Sequence, residues 1–189
     1  MRNSYKTFTA KLLATTLVVS SMFNTVAFAA TDGSLGATST GTAVINVTKA
    51  AVAKISGMSD MTLASYTVGG GNQALNTTAC VYSSTAGGGY TVKATGSGAS
   101  SAFTIASGSD LIPYTVVWNS GGAGALGTTG AALTTNVTSS SLTNAATDSA
   151  TCAVGGATAQ LNIGLLGTNL DAAPAGTYSG TVTLLVTPV

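Results

Sequence analysis

The stretch Gly176-Thr-Tyr-Ser-Gly-Thr-Val-Thr-Leu-Leu-Val-Thr-Pro-Val189 alternates apolar with hydroxyl-bearing side chains. Side chains that recur at a period of two lie on one face of an extended strand. One face carries Tyr178, Val182, Leu184 and Val186, and the opposite face carries threonines. The stretch therefore predicts a strand whose apolar face packs against a core.

A second alternating segment lies between residues 35 and 47. Leu35, Ala37, Ala43, Ile45 and Val47 share one parity, whereas Ser, Thr and Asn dominate the other. Two alternating segments of this kind, on a chain poor in catalytic side chains, predict a protein whose chemistry is backbone pairing with other copies of itself.

Residues 1–29 have the pattern of a secretory signal peptide. Basic residues come first, an apolar run follows from Leu12 to Val19, and Ala27-Phe-Ala29 offers a small-x-small cleavage site. No segment reaches the roughly 20 apolar residues of a spanning helix. We therefore expect an exported chain that begins at or next to Ala30 and has no membrane span.

The remaining 160 residues, 30 to 189, suit one domain and carry little charge. Three lysines stand against five aspartates, which gives a net charge of −2. This balance excludes nucleic acid and anionic lipid as electrostatic partners. The 33 Thr and 24 Gly of the full chain favour short strands joined by tight turns.

Cys80 and Cys152 are the only cysteines. In an oxidising, exported setting such a pair predicts one structural disulfide. The alternative, two free thiols with a catalytic or metal role, lacks any His partner.

Alternating apolar and polar side chains recur along the chain, and glycine-rich turns interrupt them. This pattern predicts an all-β fold, a β-sandwich of seven to nine short strands. Residues 121–150 are mostly small and predict a long loop with one edge strand. The predicted strands span residues 42–55, 61–67, 77–83, 90–96, 102–106, 112–118, 132–138, 158–166 and 177–187.

The composition also argues against an enzyme. The chain has no His and no Glu, so a serine or cysteine nucleophile would lack its usual base. Two Asp could act on a glycosidic bond, but the five Asp are scattered in turn-like settings, which leaves an exported hydrolase as a remote third hypothesis. Gly122-Ala-Gly-Ala-Leu-Gly127 matches a dinucleotide pattern, yet no helix-forming stretch follows it. We predict neither a catalytic residue, nor a metal site, nor a cofactor.

Four aromatic residues offer an alternative binding function, because aromatic faces stack on sugars. They are Tyr66, Tyr82, Tyr114 and Trp118. Tyr114 and Trp118 share parity with Ile112 and Val116, which favours burial in the core over a sugar platform.

The order of the alternating segments resembles that of archaic chaperone-usher pilins, whose domain is also called spore coat protein U-like. The closing Gly-Thr-Tyr signature at residues 176–178 is the most specific part of this resemblance, which covers nearly the whole exported chain. The matching segments are Gly36-Ala-Thr-Ser-Thr-Gly-Thr-Ala-Val-Ile-Asn-Val47, Thr78-Ala-Cys-Val-Tyr82, Gly89-Tyr-Thr-Val-Lys-Ala-Thr-Gly96, Leu111-Ile-Pro-Tyr-Thr-Val-Val-Trp118 and Ala175-Gly-Thr-Tyr-Ser-Gly-Thr-Val-Thr-Leu-Leu-Val186.

The resemblance implies an immunoglobulin-like sandwich that lacks its final strand and is completed by donor strand exchange. A periplasmic chaperone fills the groove first, the N-terminal segment of the next pilin subunit replaces it, and an outer-membrane usher passes the fibre outward. Tyr178, Val182, Leu184 and Val186 would mark the edge that faces the chaperone. The donor segment would carry Leu35, Ala37, Gly41, Ala43, Ile45 and Val47.

The resemblance divides the chain into a signal peptide (1–29), an N-terminal extension with the donor segment (30–47) and a pilin-like β-sandwich domain (48–189). The chain departs from the family pattern at the first strand, which has Ala51 and Ala53 and no Cys. Cys152 is therefore the only possible partner for Cys80. The expected protein is a non-enzymatic subunit of a fimbrium at the cell surface, serving adhesion and biofilm formation. The alternative is a secreted β-sandwich that binds carbohydrate or matrix as a monomer.

Overall fold

The computed structural model describes residues 30–122, 127–153 and 156–189, so the predicted signal peptide lies outside the described residues. The chain divides into two compact units, Met1–Thr48 and Lys49–Val189. In the first unit, the described residues 30–48 are exposed. Thr31 and Thr42 form an antiparallel bridge there.

The second unit consists of short strands with few helical turns, as the Thr-rich and Gly-rich composition predicts. Two short helices, α1 (Ser149–Ala153) and α2 (Gly167–Ala172), lie on either side of the strand Ala159–Leu165 in the chain. The strands are β1 (Ala53–Ser56), β2 (Gln73–Ser83), β3 (Tyr90–Gly96), β4 (Thr104–Ser107), β5 (Asp110–Asn119), β6 (Ala131–Leu133), β7 (Ala159–Leu165) and β8 (Val182–Pro188). The all-β class is confirmed.

These strands form two antiparallel sheets. The larger sheet has the order β1-β2-β7-β5-β4, and β6 pairs with the C-terminal half of β5. The smaller sheet contains only β3 and β8. The chain between β6 and α1 pairs with the other edge of β3, where Tyr90 and Leu142 exchange backbone hydrogen bonds.

The two sheets share one hydrophobic core, built from the alternating faces that the sequence indicates. On β3, Tyr90, Val92 and Ala94 are fully buried. Trp118 of β5 is also fully buried and donates its indole N–H to the Tyr90 hydroxyl over 3.1 Å. The larger sheet completes the core with Ala79, Val81, Ile112, Tyr114, Val116, Ala159, Leu161, Ile163 and Leu165.

Several of the predicted strands are wrong in extent or existence, among them the one at 132–138, which is limited to β6, Ala131–Leu133. The strand predicted at 42–55 is reduced to β1, which begins at Ala53. No strand forms at 61–67, although side chains there alternate between partly buried and exposed up to residue 64. The last strand begins at Val182 instead of residue 177, because the preceding Ser179 bridges to Ala106 of β4. In each case alternation alone is insufficient, since a strand also needs a neighbouring backbone to bond.

The disulfide predicted between Cys80 and Cys152 is confirmed. The two Cα atoms lie 5.4 Å apart, and the bond fastens α1 to β2. Both cysteines are buried, so the bond is shielded from reductants in the folded chain.

We expect the double substitution Cys80→Ser and Cys152→Ser to lower the free energy of unfolding by about 4 kcal/mol, because the bond closes a long loop in the unfolded chain. Urea denaturation of the oxidised protein and the variant measures the difference. Reduced wild-type protein is the matched control and should unfold like the variant. A loss below about 1 kcal/mol would contradict this expectation.

Candidate functional site

In the part of the chain that the structure describes, no strand pairs with the outer edge of β8 in the smaller sheet, although β1 lies near it. Residues of an antiparallel strand bond alternately to one neighbour and the other. Because Tyr90 bonds to Leu142 and the Val189 amide donates to Gly89, the odd-numbered residues of β8 bond to β3. The amides and carbonyls of Leu184 and Val186 therefore point away from β3. No backbone partner for them lies within the described ranges.

The side chains of the same strand line the core. Val182, Leu184 and Val186 are partly buried and pack against the core cluster, while Leu185 between them is 56% exposed. The fourth residue predicted for this edge, Tyr178, also packs against the core, from the segment before β8. Its hydroxyl donates to the Pro174 carbonyl over 2.9 Å. The candidate edge thus combines an unpaired backbone with a core-facing apolar row.

A cavity of about 590 Å³ opens beside the start of β8. The larger sheet forms the floor of the cavity, and residues 176–182 line one side. Residues 61–66, a segment that we call the strap, also line the cavity. Ile105 of β4 and Leu170 of α2 complete the wall. The floor consists of Leu75, Ile112, Tyr114, Ile163 and Leu165. Core side chains of three strands therefore line this cavity, which we also call the groove.

The strap is extended but unpaired. Its backbone makes no hydrogen bond to any other described backbone group. Met61 and Leu63 are partly buried against the core, whereas Thr62 and Ala64 are exposed. The strap thus has the side-chain pattern of a strand without the ladder.

Polar contacts fix both ends of the strap. On the N-terminal side, the Ser59 amide donates to Thr77 Oγ1 of β2 over 2.9 Å. On the C-terminal side, the Tyr66 hydroxyl and the Gly69 amide both donate to Asp171 Oδ1, each over 2.8 Å. The amide of Gly69, and secondly the hydroxyl of Tyr66, hold the pKa of Asp171 below its ordinary value. Partial burial, followed by the bond to Asp171, raises the pKa of Tyr66.

We expect Tyr66→Phe to move the pKa of Asp171 part of the way back towards its ordinary value, since the larger contribution, from Gly69, remains. Carbon-detected NMR titration of the carboxyl measures this change. The depressed pKa means that the bond stabilises the strap at neutral pH, and that this stabilisation is lost as the pH falls through the folded pKa. Tyr82→Phe is the control, and an equal shift in both variants would contradict the assignment.

The predicted donor residues lie in the first unit. Leu35, Ile45 and Val47 are 107%, 87% and 86% exposed, and Ala37, Gly41 and Ala43 are exposed as well. The apolar side chains of this segment are therefore open to solvent.

The four aromatic residues do not form one surface platform. Trp118 is fully buried and Tyr114 is 8% exposed. Tyr66 belongs to the strap, and Tyr82 lies on β2 opposite Lys54 of β1. Tyr114 instead stacks on Phe103, with ring centroids 5.6 Å apart.

Sequence reasoning missed the cavity itself. Alternation placed Met61 and Leu63 on one face, but it assigned them to an ordinary strand, and nothing in the sequence indicated that Leu75, Ile105 and Leu170 would meet beside them. Among the described residues, no group of three or more His, Cys, Asp or Glu could hold a metal ion. No helix in that same part of the chain is long and apolar enough to cross a membrane.

Comparisons of the sequence with family models and with curated proteins, and of the fold with solved structures, found no match. The proposed function therefore rests on the geometry of the groove.

Proposed function

We propose that this protein is a structural subunit of a surface pilus or fimbria that is assembled by donor strand exchange. One observation carries the proposal: β8 has an unpaired outer edge, and a cavity whose floor is the apolar core begins at its first residue, Val182. A protein that ended its sheet there as an isolated monomer would leave both an edge and core surface open, which natural sheets avoid.

The groove suits an extended peptide. An added strand would bond to the amides and carbonyls of Leu184 and Val186, and beyond Val182 it would place alternate side chains over the cavity floor. This is β-augmentation of an incomplete, immunoglobulin-like sandwich. In the second sheet the residues between β6 and α1 already pair with the outer edge of β3, so an added strand would extend this sheet at β8.

The exposed segment of a second copy is the occupant we assign to the groove. The apolar side chains at its odd-numbered positions suit the buried face of one strand. The Thr-rich even-numbered positions suit a face that is exposed to solvent. Burial of Leu35, Ile45 or Val47 would contribute about 1.5–3 kcal/mol for each side chain. Gly41 would allow close approach of the two backbones at the position where a side chain would clash.

The resemblance to chaperone-usher pilins supplies the assembly route of this proposal. A periplasmic chaperone would cover the β8 edge before assembly, an outer-membrane usher would pass the fibre outward, and identical or related subunits would form it. The expected location is the cell surface, in a fimbrium that serves adhesion and biofilm formation. The proposal requires no cofactor and no catalytic residue.

The rival function, carbohydrate or matrix binding by a monomer, has weaker support. A sugar site needs accessible aromatic faces, and Trp118 has none.

Gel filtration and electron microscopy of the exported protein, purified without boiling, test the proposal. We expect fibres or high-mass assemblies that dissociate into monomers only when the protein is unfolded. A stable monomer at high concentration that binds a sugar would overturn the proposal in favour of the rival.

A further inference from the structure

We propose that Met61 is an oxidation site whose sulfoxide form keeps the groove from accepting the segment of a second copy. The inference rests on the proposed function, because it names a modification that controls the same groove. The co-reactant is a peroxide, which transfers one oxygen atom to the thioether sulfur of Met61.

Two methionines are the reactive sulfur groups of the exported chain. Of the four Met in the full sequence, Met1 and Met22 fall in the predicted signal peptide, which leaves Met58 and Met61. Both cysteines form the disulfide, and neither is free. A peroxide that meets the exported chain therefore has two thioethers as its sulfur targets.

Met61 combines access with a place in the groove. Its side chain is partly buried against the core cluster and also lines the cavity of about 590 Å³. A cavity of that size admits hydrogen peroxide, since one water molecule occupies only about 30 Å³ in the liquid. Met58 is 38% exposed, but among the described residues it belongs neither to the cavity wall nor to the core cluster. Oxidant can thus reach both thioethers, and only that of Met61 lies in the groove.

Oxidation changes the polarity of the cavity wall at Met61. The sulfur attacks one oxygen of the peroxide, the O–O bond breaks, the sulfur loses two electrons, and the second oxygen leaves as water. The product carries a sulfoxide oxygen, a hydrogen-bond acceptor, where the thioether was apolar. The floor of the cavity is apolar apart from the Tyr114 hydroxyl. An incoming apolar side chain would therefore have to remove water from the sulfoxide oxygen, which opposes filling of the groove.

Filling the groove would in turn protect Met61. The incoming side chains would cover the cavity, so peroxide would reach Met61 only in subunits that have not yet assembled. Met58 does not line the cavity in the described part of the chain, so filling leaves its access unchanged. Oxidation would therefore stop the addition of new subunits and spare those already in the fibre.

Peptide binding before and after peroxide treatment tests the inference. The acceptor is the full exported chain with Ile45→Asp, which removes its own segment as a donor. It also carries either Met58→Leu or Met61→Leu, so that one methionine remains. The probe is a synthetic peptide with the sequence of residues 35–47, labelled for fluorescence anisotropy. Intact mass reports the addition of one oxygen atom, and thermal unfolding reports whether the domain stays folded.

We expect oxidation to weaken peptide binding at least about tenfold in the acceptor with Met58→Leu, which retains Met61. In the acceptor with Met61→Leu, which retains Met58, we expect the affinities before and after oxidation to agree within about twofold. The comparison is made within each acceptor, so a difference in starting affinity between the two does not affect it. Saturating peptide, added before the peroxide, should slow the oxidation of Met61 and not that of Met58.

The outcomes separate this inference from the proposed function. Unchanged binding after oxidation of Met61, equal losses in both acceptors, unfolding of the oxidised domain, or a Met61 that resists peroxide while Met58 reacts would each overturn the inference. In those cases the unoxidised acceptor still binds the peptide, and the proposed function stands. An unoxidised acceptor that does not bind the peptide even at its highest concentration would overturn both.

Discussion

Leu184→Asp is expected to destabilise the folded domain by about 3 kcal/mol or more, the largest stability effect that we predict for one substitution in β8. Leu184 is partly buried and packs against the core cluster. The substitution removes an apolar contact and places a carboxylate against apolar side chains with no cation beside it. Denaturant unfolding of the purified domain measures the change, and low yield of the exported protein should accompany it.

The neighbouring residue supplies a matched control. Leu185 is 56% exposed on the opposite face of β8, so Leu185→Asp introduces the same charge at the same strand without entering the core. We expect that variant to stay within about 0.5 kcal/mol of the wild type. If the two variants lose similar stability, the core-facing orientation of Leu184 does not matter for folding and the account of this edge is wrong.

Ile45→Asp is expected to abolish fibre formation while the domain stays folded. Ile45 is 87% exposed, so its replacement removes no core contact. In the fibre, however, the carboxylate would enter an apolar groove at a cost of several kcal/mol. Gly41→Val should have the same effect, because a branched side chain would hold the two backbones apart. Electron microscopy measures assembly, and thermal unfolding measures the domain.

Val44→Asp is the matched control for the donor segment. Val44 is 50% exposed and, as an even-numbered residue, lies on the face of the segment opposite Ile45, which would be exposed to solvent in the fibre. We expect this variant to assemble nearly as the wild type does. Normal fibres from Ile45→Asp, or unfolding of its domain, would contradict donor exchange through this segment and would favour the self-contained binding protein.

The buried faces of the main strands could be predicted from alternation alone. A period of two sends every second side chain of a strand to one face. The core therefore contains Tyr90, Val92 and Ala94 of β3 and every second residue of β5 from Ile112 to Trp118. The disulfide followed from the number of cysteines. The first prediction depends on local chemistry, and the second on the fact that the chain has only two cysteines.

The pairing of strands depends on the rest of the chain, and there sequence reasoning was less successful. Residues 42–52 and 61–67 alternate as β3 does, but no continuous ladder pairs them with another described segment, and neither forms a strand. Likewise, Ser179 bridges to Ala106 and so delays the start of β8.

The all-β class, the buried faces of the strands, the cysteine pair and an alternating apolar segment could all be read from the residues in order. The unpaired outer edge of β8 and the unpaired strap, among the described residues, and the cavity floor of Leu75, Ile163 and Leu165 emerge only from the folded chain. The physical reason is that side-chain alternation is a local property, whereas an open edge is the absence of a neighbour, which depends on where every other strand lies.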